Sequence, residues 1–179
     1  MIPMSQVYLG LGSNVGDRLQ NLITAIKKLS SANNLIKSCS SIWETSPWGF
    51  EPQEDFLNCV ILFETFYLSP FALIEAIGKI EHSLGRKRGQ KFGPRTIDID
   101  ILFFDALIIT IPTLTVPHPL LHRRKFVLLP LSEIAPTLLH PVLKKQIYEL
   151  MEDLASTETC RLFMTADRVR DLINTPQVL

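Results

Sequence analysis

The sequence predicts an α+β fold, with an antiparallel sheet, helices packed on it, and extra helices at the C-terminal end. Three observations predict it. Four apolar runs of strand length, at residues 6–11, 35–44, 56–66 and 96–104, are separated by two helical periods in the order β-α-β-β-α-β. The helical patterns return only after the last of these runs. The chain has 179 residues, 46% of them hydrophobic and 20% charged, enough apolar material for the core of one domain.

Each element follows from local chemistry. Residues 6–11 (QVYLGL) form the first strand, and Gly10, Gly12 and Gly16 read as a glycine turn after it. Leu19, Leu22, Ile23, Ile26 and Leu29 recur at helical spacing, which predicts an amphipathic helix over 17–31. Strands at 35–44 and 56–66 follow, with a long loop between them. Ser69-Pro70 starts a second helix, with serine as cap and proline in the first turn. Leu73, Ile74, Ile77, Ile80 and Leu84 are expected to face inward, and Gly85 to end the helix. Residues 86–94 are polar, basic and glycine-bearing, which predicts a mobile loop. A strand at 96–104, a short one at 107–111, and helices at 122–131 and 144–154 complete the pattern. The order β-α-β-β-α-β is the ferredoxin-like arrangement, with helices on one face of the sheet and the other face free for a site. Residues 1–155 read as a single domain, and 156–179 as a C-terminal extension that adds a strand or a short helix.

Bulk charge narrows the function. Eighteen Lys and Arg balance eighteen Asp and Glu, so the formal net charge is zero. Broad binding to nucleic acid or to a membrane surface needs an excess of cations, so neither is expected. The three cysteines, Cys39, Cys59 and Cys160, show neither a disulfide framework nor a CxxC zinc pattern, and read as reduced thiols. The first ten residues lack the basic and apolar segments of a signal peptide, and no apolar run reaches membrane-spanning length. The expectation is a cytoplasmic monomer.

The chemistry concentrates around Ile97-Asp98-Ile99-Asp100-Ile101. Alternation on a strand puts Asp98 and Asp100 on one face, with Cα atoms about 6.6 Å apart. Two carboxylates at that spacing suit magnesium, which takes few protein ligands and completes its shell with water and phosphate oxygens. Aspartate is depleted in strands, so two on one face break a local rule, as functional sites do. Arg86, Lys87, Arg88, Lys91 and Arg95 lie just before them. Arginines beside a carboxylate–metal site point to a polyphosphate ligand. His118, held between prolines in VPHP, forms a second polar set with Arg124 and Lys125. The segment GLGSNVG matches neither GxGxxG nor a P-loop, so neither usual nucleotide cradle is present. A third set, Thr45, Ser46, Pro47, Trp48, Phe56 and Asn58, offers aromatic faces and an amide edge for a flat heterocycle.

Together these motifs resemble the 6-hydroxymethyl-7,8-dihydropterin pyrophosphokinases of folate biosynthesis. The resemblance runs from about residue 7 to residue 150. It rests on LGSNVGDR, FLNCV, IEHSLGRKR, VPHPLLHRRKFVLLPL and, most specifically, GPRTIDIDIL. The family moves the β,γ-diphosphate of ATP onto the pterin hydroxymethyl group and releases AMP. The resemblance implies that Asp98 and Asp100 bind two magnesium ions along the triphosphate. It implies phosphate contacts for Arg86, Arg88, Arg95, His118 and Arg124, a supporting place on the ATP side for Glu81, and a pterin pocket lined by Thr45, Ser46, Trp48, Phe56, Asn58 and Phe126. Residues 86–92 would close over both substrates. Many members have Tyr where this chain has Phe56, and Trp where it has Phe92. An RNA-binding module of ferredoxin-like fold is the non-enzymatic alternative, and its basic face is at odds with zero net charge. A related metal-dependent nucleotidyl or phosphoryl transferase acting on another alcohol is a second alternative, and only the resemblance at Trp48, Asn58 and GPRTIDID speaks against it.

Overall fold

The computed structural model describes residues 4–30, 34–48, 53–65, 69–86 and 93–175. Its main sheet is antiparallel. The strands are β1 (Ser5–Ser13), β2 (Asn34–Cys39), β3 (Ile42–Thr45), β4 (Phe56–Thr65), β5 (Asp98–Phe104) and, from the C-terminal tail, β8 (Cys160–Met164). Their order is β5-β1-β4-β3-β8, with β2 also paired to β4. A separate hairpin joins β6 (Ile109–Ile111) to β7 (Leu114–Val116). The helices are α1 (Arg18–Leu29), α2 (Pro70–Ser83), α3 (Lys125–Ile134), α4 (Ile147–Glu152) and α5 (Ala166–Asn174). The α+β arrangement expected from the strand and helix order is therefore present.

Two cores lie on opposite faces of the sheet. On one face Val7, Leu9 and Leu11 of β1 join Leu57, Cys59, Ile61 and Phe63 of β4 and Ile99 and Ile101 of β5, packed under α1 and α2. On the other, Tyr8, Val60, Leu102 and Phe103 meet Val127, Leu128 and Leu131 of α3 and Ile147 and Leu150 of α4. This second face was expected to be free, but half of it is covered. The reason is in α3, whose apolar stripe must be buried against something, and the sheet is what it meets. The uncovered half lies over the Ser13 end of β1. A bulge marks the boundary: Tyr8 pairs Phe103 while Leu9 pairs Ile101, so Leu102 is extra and turns with Phe103 toward α3.

Local signals fixed most element ends. The Asp17 side chain accepts from Gln20 N at 3.0 Å to start α1, and the Ser69 hydroxyl from Ala72 N at 3.2 Å to start α2. Gly85 follows α2 at φ +79°, a conformation that suits glycine. Ile74 departs from expectation: it is 38% exposed, while Leu73 and Ile77 carry the buried face. The run 35–44, expected as one strand, is two. The Ser40 hydroxyl accepts from Val60 N at 2.9 Å and donates to Ser41 O at 2.7 Å, while Ser41 N turns to Glu133 of α3 at 2.8 Å. Ser40 N still donates to Val60 O at 2.9 Å, so a side-chain bond replaces one half of the ladder pair at that point. The helix expected from 122 begins at Lys125, because Leu121–Arg123 forms a tighter 3₁₀ turn first. The strand expected at 107–111 starts at Ile109.

The tail adds both a strand and a helix. β8 pairs with β3, and α5 buries Val169 completely, with Leu172 and Ile173 packed against the first core. Lys27 Nζ of α1 donates to Thr175 O at 2.7 Å just past α5. Among the described residues, Cys39, Cys59 and Cys160 are free thiols. No helix among them is long and apolar enough to cross a membrane.

Val169→Ala tests whether the tail is part of the cooperative unit. Removing two buried methyls should lower the unfolding free energy by about 1–3 kcal/mol and the melting temperature by several degrees. A calorimetric melt that left Tm unchanged would place α5 outside the folded unit.

Candidate active site

The open half of the sheet forms the floor of a cavity of about 280 Å³. The floor is set by strand register. On β1, Gly12 lies between Asp98 of β5 and Asn58 of β4, and Gly10 between Asp100 and Val60. The two glycines share the face that carries the carboxylates. A methyl group on Gly12 would sit 2.7 Å from Asn58 Oδ1. Gly10 and Gly12 were expected in a turn; they are strand residues, and their missing side chains leave the cavity open. Two glycines at period two inside an apolar strand are a signal for such a floor.

The charged end of the cavity is built on β5. Asp98 Oδ1 pairs with Arg86 Nη1 at 2.7 Å, and its Oδ2 pairs with Arg95. Arg86 also pairs with Glu81, whose carboxylate accepts from Ile99 N at 2.9 Å. Glu81 is thus a bracket between α2, Arg86 and the backbone of β5. Burial raises the pKa of its carboxyl, against the lowering influence of Arg86. It lies outside the cavity lining. Asp100 is less well matched, because its nearest cation, Arg124 Nη1, is 3.9 Å away, as is His118 Nε2. Burial, and then the charge of Asp98, push its pKa up to about 7. Its side chain still keeps 41% of its surface open to the cavity mouth. The surrounding walls reduce its contact with water without removing it.

His118 is a neutral donor. Burial, and then Arg124, pull its pKa down to about 4. Its Nδ1 accepts from Leu120 N at 3.2 Å, so the neutral ring carries its hydrogen on Nε2, which faces Asp100. Arg124 Nη1, 3.4 Å from Nε2, is a donor too, so that contact is not a hydrogen bond. Arg124 itself is wedged between rings, 4.9 Å from the Trp48 centroid and 5.5 Å from that of Phe126. Its Nε is buried without a hydrogen-bond partner.

The ring-lined end is held from two sides. Asn58 Nδ2 donates to Thr45 Oγ1 at 2.8 Å in a buried bond, which fixes the amide plane. The tail holds both walls. Thr159 O accepts from Ser46 N, and Thr159 N donates to Ser46 Oγ, each at 3.2 Å, while Glu158 Oε2 accepts from Phe126 N at 3.1 Å. Sequence reasoning did not find Glu158 or Thr159, because nothing local marks a contact made across the fold.

Of the residues singled out in the sequence, Thr45, Ser46, Trp48, Phe56, Asn58, Arg86, Arg95, Asp98, Asp100, His118, Arg124 and Phe126 line this one cavity. Arg88, like the rest of 87–92, lies outside the described residues. Among the described residues, no cluster of three or more His, Cys, Asp or Glu could hold a metal. The donor set is therefore two carboxylates, one of them short of counter-charge. That set fits a hard cation completed by water and ligand phosphates.

The family model of the 7,8-dihydro-6-hydroxymethylpterin-pyrophosphokinases (HPPK) matches residues 8–136. The chain belongs to this family. It is 46% identical over 146 residues to the 2-amino-4-hydroxy-6-hydroxymethyldihydropteridine pyrophosphokinase of Aquifex aeolicus (strain VF5), covering 82% of this chain and 90% of that protein. The enzyme of that name from Bacillus subtilis (strain 168) is 46% identical over 128 residues, covering 71% of this chain and 76% of the other. The fold is shared with Plasmodium falciparum HPPK-DHPS, crystallised with pteroate, at a TM-score of 0.69 and 19% identity. That match covers 84% of this chain and 42% of the other, so this chain spans less than half the length of that protein.

Gly12→Ala should displace Asn58 and break its bond to Thr45. The expected loss in urea unfolding is about 1–3 kcal/mol. In an Asn58→Ala background the same change should cost less than half as much. Equal costs in the two backgrounds would mean that Gly12 does not act through Asn58.

Proposed function

We propose that this site transfers the β,γ-diphosphate of ATP to the hydroxymethyl oxygen of 6-hydroxymethyl-7,8-dihydropterin and releases AMP. One observation carries the reading. The carboxylate pair with its arginines, and the Trp48–Phe126 walls with the Asn58–Thr45 amide edge, open into the same cavity. A polyphosphate and a flat heterocycle can therefore meet there.

The pterin oxygen attacks the β-phosphorus in line. A new O–P bond forms, the bond from the β-phosphorus to the α,β-bridging oxygen breaks, AMP leaves with that oxygen, and the hydroxyl proton is released to water. Asp98 and Asp100 would hold two magnesium ions against the triphosphate. Bound there, the ions would neutralise phosphate charge and polarise the attacking hydroxyl. Arg86 and Arg95 now neutralise Asp98, and both are placed to turn toward phosphate oxygens as those arrive. His118 Nε2–H adds a donor without adding charge. Arg124, stiffened by its two rings, presents a fixed fork. Asn58 and Thr45 read the heterocycle edge, and Trp48, Phe56 and Phe126 supply its apolar walls.

The test is AMP release with ATP, magnesium and hydroxymethyl-dihydropterin, run beside a panel of other alcohols. Only the pterin should turn over. Asp98→Ala and Asp100→Ala should each lower kcat by about 10²–10³-fold or more while the melting transition stays cooperative. Near-normal turnover in either variant, or equal turnover of unrelated alcohols, would overturn the proposal.

A further inference from the structure

The segment LGSNVGDR, which resembles a plain strand-to-helix turn, contains a side chain with an unusual set of partners. Asn14 is 4% exposed and lies just past the end of β1. Its Oδ1 accepts from Arg95 N at 2.8 Å, and its own N donates to Arg95 O at 3.1 Å. One asparagine thus takes both backbone polar groups of Arg95. Its Nδ2 turns the other way, donating to Gln53 Oε1 at 3.0 Å and to Glu54 O at 3.1 Å. Neighbouring Ser13 adds a bond from Oγ to Thr96 O at 2.5 Å. Asn14 is not part of the cavity lining.

The two segments it joins matter for different reasons. Residues 93–97 are irregular and enter the ladder only at Asp98, so no ladder bond fixes the backbone at Arg95, whose Nε donates to Gly93 O at 3.2 Å. Residues 53–55 lead straight into Phe56 and Asn58 at the start of β4. A residue at this point must accept and donate at once. Asparagine does both; aspartate only accepts, and alanine does neither.

We propose that Asn14 is a positioning residue that sets Arg95 against Asp98 and couples the charged end of the cavity to its ring-binding end. The proposal rests on the diphosphate transfer described above. Asn14 touches neither substrate; it acts through Arg95 on one side and through the entry to β4 on the other. Misplacing a catalytic group by about 1 Å can cost on the order of 10²-fold in rate, so a clamp of this kind should show in kcat.

The experiment has three arms. In Asn14→Ala, kcat should fall about 10–100-fold with the KM for ATP within about threefold of wild type. In Asn14→Asp, which keeps the acceptor for Arg95 N and loses the donor to Gln53 and Glu54, kcat should largely recover while the pterin KM rises. In an Arg95→Ala background, Asn14→Ala should add little further loss in kcat. Additive losses in the double variant, or an Asn14→Asp variant as slow as Asn14→Ala, would overturn the proposal. Amide hydrogen exchange at Arg95, followed by NMR without any substrate, separates this from the functional reading. The clamp predicts faster exchange in Asn14→Ala than in both wild type and Asn14→Asp; equal exchange in all three would overturn it. Absence of AMP release in the wild type would instead sink the proposed reaction. If Asn14→Ala does not fold, Asn14→Asp and the exchange comparison with wild type still decide, since a full clamp on Arg95 N requires its protection to be kept in that variant.

Discussion

Two carboxylates placed side by side on one strand face are the constraint around which the rest of the site is arranged. Alone they repel each other and resist ionisation. Asp98 is relieved by two guanidinium groups, and Asp100 is left with one guanidinium at 3.9 Å and a pKa near 7. Asp100 therefore has no cation in direct contact, although Arg124 lies nearby. A carboxylate of this kind is costly to a folded chain and useful to a cation-binding one. Glu81 holds Arg86, and Trp48 and Phe126 hold Arg124, so these cations keep fixed positions around the carboxylates.

The shape of the cavity follows from what is missing as much as from what is present. Gly10 and Gly12 leave the sheet without side chains between Asp98, Asp100, Asn58 and Val60. α3 and α4 cover the far half of the same face and stop where Arg124 and Phe126 begin. The bulge at Leu102 turns β5 at that boundary. The tail completes the wall, with Glu158 and Thr159 bonded to the backbone of Phe126 and Ser46. A sheet with one half-covered face thus provides a rigid floor, an apolar roof edge and an open mouth.

How much of this was legible in the sequence depended on the range of the interactions. Ser69 announced its helix because a cap is a contact across three residues, and the first helix was legible from its apolar spacing. The placement of Asp98 and Asp100 was legible because strand alternation is purely local. The split at Ser40 was not, since it depends on Val60 and Glu133 from distant elements. The role of the glycines in β1 was hidden because the residues they make room for lie on β4 and β5. Asn14 was hidden for the same reason, as its partners are about forty and eighty residues away. Most of the functional side chains could be named from motifs, whereas the groups that hold them in place came into view only with the fold.

Metal binding itself is the most direct measurement. Manganese titration followed by electron paramagnetic resonance, in the presence of a non-hydrolysable ATP analogue, counts the bound ions without any turnover. The account predicts two ions per chain in the wild type and the loss of at least one in both Asp98→Asn and Asp100→Asn. Unchanged stoichiometry and affinity in those two variants would contradict it.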